Sequence, residues 1–150
     1  MRSARASLRW RKSFARPGGL GEFCLEDLLG QVSPPQHFTI QHSFKSGEKV
    51  DAVIRLGHSL VPVDAKFFLE NFKCTLAAAG DDEKGRVRRQ FLADVKKHVD
   101  MTAAKYILPA EGTYDFALMY IPAENVYYET IIKDDASGEK NLSQYALDKE

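Results

Sequence analysis

The sequence predicts an α/β fold, a central mixed sheet flanked by helices, in the order helix, three strands, helix, strand, helix. Three observations carry this expectation. Residues 37–66 hold three apolar runs separated by turn residues, and residues 82–106 repeat apolar side chains near helical spacing. The third observation is Tyr114 to Ile121, a near-continuous apolar run of strand length. Three consecutive antiparallel strands followed by a crossover helix give a mixed sheet with helices on its faces.

The elements follow in order. Residues 1–17 carry Arg2, Arg5, Arg9, Arg11, Lys12 and Arg16 with no acid, and are expected to be a disordered basic leader. An Arg- and Ser-rich, acid-free start also resembles a transit peptide. After Gly18-Gly19, one helical face gathers Phe23 or Leu25 with Leu28 and Leu29, and Gly30 is expected to stop that helix. Pro34-Pro35 forces a loop. His37 to Phe44 alternates, with Phe38, Ile40, His42 and Phe44 on one side, as a half-buried strand does. Ser46-Gly47 turns the chain into Val50 to Leu56, and Gly57-His58-Ser59 turns it again into Leu60 to Lys66. Pro62 removes a ladder donor from this third strand and so points to an edge or a bulge.

Gly80-Asp81-Asp82 marks a break. Val87, Phe91, Val95, Val99 and Thr102 or Tyr106 then recur at helical spacing, and Asp81, Asp82 and Glu83 suit the positive end of that helix. Tyr114 to Ile121 reads as a central strand buried on both faces. Pro122 fits the first turn of a further helix through Val126, Tyr127 and Ile131. Asp134 to Gly138 is a polar break, and Glu139 to Glu150 reads as a short helix with no closing element, so the chain looks cut.

At 150 residues the chain is long enough for one domain with a real core, and 44% apolar and 28% charged content are those of a globular protein. A formal net charge of zero argues against a uniformly basic nucleic-acid binder. No run approaches the roughly 20 apolar residues of a membrane span, and no secretory core segment is present. Cys24 and Cys74 match neither a metal spacing nor a disulfide framework, and read as buried or half-buried thiols in a reducing cytoplasm.

The chemistry sits in the hairpin. If Gly57-His58 forms a two-residue type II′ turn, Asp51 lies directly across from Asp64, and Lys66 lies on the same face. One more loop residue would throw Asp51 to the other face. Two carboxylates at cross-strand distance can share a divalent metal and place a water beside a phosphodiester. On the long helix Arg86, Arg89, Lys96, Lys97 and Lys105 are candidate contacts to a DNA backbone, although such charges usually only solvate a helix.

Several segments resemble one family. An Asp on the second strand followed by Asp-x-Lys on the third is similar to the PD-(D/E)XK superfamily, the restriction-endonuclease-like fold with its αβββαβ core. Gly21-Glu22-Phe23-Cys24-Leu25-Glu26-Asp27-Leu28-Leu29 resembles the "GxWGE-x-x-LE-x-(I/L)L" opening of the RmuC family of DNA recombination proteins. Gln41 falls where that family has a glutamine before "PD-x-x-V-x-L", with Val50 in place of the proline. Val63-Asp64-Ala65-Lys66 resembles "(V/I)D(S/A)K", His98 to Tyr106 resembles "H-x-x-x-L-x-x-K-x-Y", and Asp115 to Glu124 resembles "DF-V-x-(L/M)-F-(I/V)P-x-E".

The resemblance covers residues 18–150 and implies a nuclease-fold domain cut short at its C-terminus, cytoplasmic although full-length relatives are expected to carry an anchor. It implies a Mg²⁺-dependent DNA nuclease, with Mn²⁺ as a substitute ion, acting in recombination or repair. Asp51, Asp64 and the Ala65 carbonyl would bind the metal, Glu22 would complete the set, and Lys66 would orient or help deprotonate the attacking water. With the metal absent, crowded carboxylates should leave at least one pKa raised. The alternative is a catalytically silent DNA-binding or assembly module that keeps the fold.

Overall fold

The computed structural model describes residues 19–66, 80–122 and 142–149. Helix α1 (Gly19–Val32) leads through a 3-10 turn (Pro35–His37) into β1 (Phe38–Ser43), β2 (Lys49–Leu56) and β3 (Ser59–Ala65). Helix α2 (Asp81–Tyr106), a second 3-10 turn (Pro109–Glu111), β4 (Leu118–Tyr120) and α3 (Leu142–Leu147) follow. The strands form one sheet in the order β1-β2-β3-β4, antiparallel except for the parallel β3–β4 pair. The mixed sheet and the helix–strand order are those the sequence predicts.

Helices cover both faces of the sheet. Leu25 and Leu29 of α1 pack on Ala52 and Val63, which share a face because they are cross-strand partners. Val53, one residue along β2, points the other way and packs with Tyr106 of α2. Along α2, Phe91, Val95, Val99, Thr102 and Tyr106 are buried, the face expected from the spacing, with Val87 only half-buried. Phe91 and Val95 also pack on Leu142, which ties α3 to the long helix.

Three expectations need correction. Gly30 does not stop α1, which runs on to Val32. The helix ends because Ser33 precedes Pro34, and a residue before proline is pushed out of the helical region. The second correction concerns Pro62, which belongs neither to an edge nor to a bulge. It is fully buried in an inner strand and pairs with Val53 in unbroken register. The amides of Leu60 and Lys66 point toward β4, donating to Gly112 O and Tyr120 O. By alternation the N–H that Pro62 lacks would face the same side. There the neighbouring chain has no ladder to offer, so no bond is lost.

That gap also accounts for the third correction. The run from Tyr114 to Ile121 is not one central strand. Thr113 bridges Leu60 and the Tyr114 amide donates to Leu60 O. The chain then leaves the sheet opposite Pro62 and returns only for Leu118–Tyr120. Among the described strands β4 is an edge, with Leu118 44% exposed. The basic leader, Cys74 and the helix expected through Val126, Tyr127 and Ile131 lie outside the described residues. Cys24 is half-buried, as expected.

Candidate active site

The register places the hairpin acids. Gly57 has φ +61, while Gln41 is the only other-than-glycine residue at positive φ among those described. Positive φ at the first turn residue alone is the type II′ pattern. The β2–β3 register pairs Leu56 with Ser59 and continues to Ala52 with Val63, so one further step sets Asp51 level with Asp64. The ladder stops there. On that side the next β3 amide, Ala65 N–H, donates to Asp51 Oδ2 at 2.7 Å. The aspartate side chain thus replaces the missing backbone acceptor.

Asp64 is 3% exposed, and a buried carboxylate needs donors. It has two, both on the same oxygen. Thr102 Oγ1 donates to Asp64 Oδ2 at 3.0 Å, and Lys66 Nζ lies 3.1 Å from that oxygen. Lys66 keeps about a third of its side chain exposed, so its ammonium borders solvent. Glu22, in the first turn of α1, accepts from Gln41 Nε2 at 3.0 Å through Oε2. Glu22 and Asp51 are hydrogen-bonded to each other, and both pKa values lie above the usual carboxylate range. Burial is the main cause for each. Repulsion adds to it, from Asp51 at Glu22 and from Asp64 at Asp51, while the Ala65 amide offsets part of the rise at Asp51. The raised pKa expected from crowding is therefore present, with desolvation ahead of repulsion as its source.

Gln41 holds an unusual backbone. It sits inside β1 with φ +56, and the register levels it with Asp51, between the pairs Ile40–Ala52 and His42–Val50. A left-handed residue other than glycine costs about 1–2 kcal/mol. The pleat changes face across it, so Phe44 does not share a side with Phe38 and Ile40, contrary to what the alternation predicts. Ile40 and Ala52 pack with α1, but Phe44 and Val50 pack with Val53 and Tyr106. Glu22, Asp51, Asp64 and Lys66, the four residues singled out from sequence, therefore come together, with Gln41 and Thr102 beside them.

The RmuC family model matches residues 11–150. The chain belongs to the RmuC family. Two proteins named "DNA recombination protein RmuC homolog", from Xylella fastidiosa strains Temecula1 (ATCC 700964) and 9a5c, are each 29% identical to it over 126 residues. The overlap takes in 76% of this chain and 27% of each relative, so the chain spans about a quarter of their length. No solved structure matches.

Two groups on α2 of this RmuC-family chain lie close to the acids and were not chosen from sequence. Thr102 appeared only as a core position, yet it holds Asp64. Tyr106 donates to Lys49 O at 3.2 Å, and its phenol is pushed up to about 12 by burial first, then by Asp64, Asp51 and Glu48. His98 is lowered by burial and then by Lys66, which marks it as a neighbour of that ammonium. His98, Thr102 and Tyr106 recur at steps of four, which stacks them along one side of a helix. That spacing was a usable signal.

The basic candidates do not join the acids. Arg86, Arg89, Lys97 and Lys105 are exposed. At about 100° per residue, Arg86 and Lys97 fall opposite Val95 and Val99. Lys96 lies over the Tyr145 ring at 5.4 Å, and Lys105 pairs with Glu48 at 3.6 Å. Arg89 reaches back along the helix toward Gly85.

The acids suit a hard divalent cation in donor type: carboxylates on adjacent strands and a third from α1, with no thiolate among them. They do not stand as a ligand shell in this conformation. Among the described residues no group of three or more His, Cys, Asp and Glu side chains is set to hold a metal ion. Glu22 and Asp51 are turned on each other, and Asp64 is turned on Thr102 and Lys66. Among the described residues no helix is long and apolar enough to cross a membrane.

Proposed function

We propose that this chain carries the catalytic residues of a Mg²⁺-dependent DNA nuclease acting in recombination or repair. One observation carries the reading: Asp51 and Asp64 are level on neighbouring strands, with Lys66 on Asp64 and Glu22 on Asp51. The relatives' name, DNA recombination protein, supports DNA as the substrate. Asp51 and Asp64, with the Ala65 carbonyl and Glu22, would hold Mg²⁺ or Mn²⁺. When bound, such an ion neutralises phosphate charge and lowers the pKa of a coordinated water. Lys66 has the reach and exposure to orient the attacking water, to help take its proton, and to meet charge developing on the phosphate. Asp64 fixes the lysine head for that task by their ion pair.

The test is cleavage of labelled duplex and branched DNA with Mg²⁺, comparing wild type with Asp64→Ala and Lys66→Ala. Both substitutions should abolish cleavage; activity that survives both sinks the assignment. The second reading, a silent DNA-binding or assembly module, is favoured by the fact that the Asp64 charge is already paired with Lys66 and its oxygen is held by the Thr102 hydroxyl. Salt-dependent DNA binding without metal uptake or cleavage would select it.

A further inference from the structure

We propose that the turn between β1 and β2 is an anion subsite for a backbone phosphate of DNA, held closed in this conformation by the chain's own Glu111. The inference rests on DNA as the substrate, as in the reading above, and involves no metal. Two successive backbone amides of the turn converge on one carboxylate from a distant segment. Lys45 N–H donates to Glu111 Oε2, and Ser46 N–H donates to Glu111 Oε1 at 2.9 Å, 65 residues away in the chain. The Ser46 hydroxyl donates to the same carboxylate. Each oxygen thus has its own amide, the arrangement by which successive N–H groups in a turn make a concave anion site.

The turn and the segment that carries Glu111 each have bonds of their own. Phe44 N–H donates to Glu48 O and Gly47 N–H to Phe44 O, which closes the turn. Glu111 N–H donates to Leu108 O, Gly112 N–H to Pro109 O and Leu108 N–H to Thr113 Oγ1. Leu108 packs on the cluster of Phe44, Val50, Val53 and Tyr106, which keeps the two segments adjacent without help from the glutamate. The surroundings favour an incoming anion. Lys45, Ser46 and Lys49 are exposed, and Glu48, the acid beside them, lies 3.6 Å from Lys105. Lys49 stands two residues before Asp51 on β2, about 7 Å along a strand, and the turn lies just beyond it. A DNA strand carries a charge every ~3.4 Å of its axis. A strand with one phosphate at the acids therefore has others within reach of the turn, and Glu111 occupies the place one of them would take.

The test uses the full chain in buffer free of divalent metal, so that no DNA is cut. Wild type, Glu111→Ala and Glu111→Gln would be titrated with inorganic phosphate and with a short DNA duplex. Heteronuclear NMR follows the Lys45 and Ser46 amides, and fluorescence anisotropy gives the duplex affinity. Glu111→Gln keeps an acceptor for the turn and so guards the fold. In Glu111→Ala both titrants should move the two amide protons downfield in a saturable way. The duplex should bind it about tenfold more tightly than wild type, the order of one hydrogen bond to a charged group. Glu111→Gln should respond in the same direction by less. Amides that ignore both titrants in both variants make Glu111 a structural clamp and overturn the proposal. A response to inorganic phosphate without one to the duplex marks an adventitious ion only, and overturns it as well. Duplex binding that leaves Lys45 and Ser46 unmoved removes this inference while DNA stands as the substrate. No duplex binding by wild type or either variant removes both.

Discussion

Asp51 has two partners of opposite demand. Burial first and then the charge of Asp64 oppose its ionisation, while the Ala65 amide, Lys66 and the hydrogen bond with Glu22 favour it. The net result is a raised pKa for Asp51 and for Glu22. A raised carboxyl pKa means that the folded state keeps its proton to higher pH than the unfolded chain. The associated stability is present below the unfolded value and is lost as pH rises through the folded one. The window opens at the ordinary carboxylate range of about 4. Asp51→Asn keeps an acceptor for Ala65 but cannot ionise. In metal-free buffer its melting temperature should gain on wild type as pH rises through this window. A difference that stays flat with pH would show that the Asp51 carboxyl is not raised in the folded state. Tyr106 follows the same sign at the alkaline end. Its contribution is complete below the unfolded value of 10.0 and is lost as pH rises toward about 12. Among the tyrosines it should ionise late in an ultraviolet titration. Tyr106→Phe should cost about 0.5–1.5 kcal/mol in urea unfolding, the ordinary worth of its bond to Lys49 O.

The hairpin β2–β3 is the element on which the site depends. A methyl group at Gly57 would meet only Tyr114 Oη at 3.8 Å, an ordinary contact. Gly57→Ala therefore tests the backbone alone and should cost about 1–2 kcal/mol by urea unfolding. Inserting one glycine between Gly57 and His58 is a harsher test. It slips the register, sends Asp64 to the α1 face, and should abolish divalent metal uptake in calorimetry. This register was legible in the sequence because a glycine turn and the alternating runs agreed with each other. Pro62 was misread because the edge rule asks whether a strand has two neighbours. The relevant question is whether a neighbour has an acceptor at that one position. The break in Tyr114 to Ile121 lies opposite the same proline, a pairing between distant segments that local patterning cannot show. The backbone of Gln41 was equally hidden, because its partner Glu22 lies 19 residues earlier, on another element.

At the scale of the molecule, a formal net charge of zero conceals a separation. The acids lie where β2 and β3 part, whereas Arg86 and Lys97 stand on the exposed flank of α2. If that flank meets DNA, Arg86→Ala and Lys97→Ala should each reduce the salt slope of binding by about 1 in fluorescence anisotropy, with Mn²⁺ affinity unchanged. An unaltered slope removes them from the DNA contact. The site's bonds also differ in how much chain they close. Ala65 N–H to Asp51 spans 14 residues, Gln41 to Glu22 spans 19, and Thr102 to Asp64 spans 38. Closing longer loops is slower, so the hairpin with its Asp51 bond should form early in folding and the hydroxyl on Asp64 should arrive last. We expect Val53→Ala to slow refolding and Thr102→Val mainly to speed unfolding, as stopped-flow kinetics would show. On that timetable, the chain acquires its acids before it acquires the helix that steadies them.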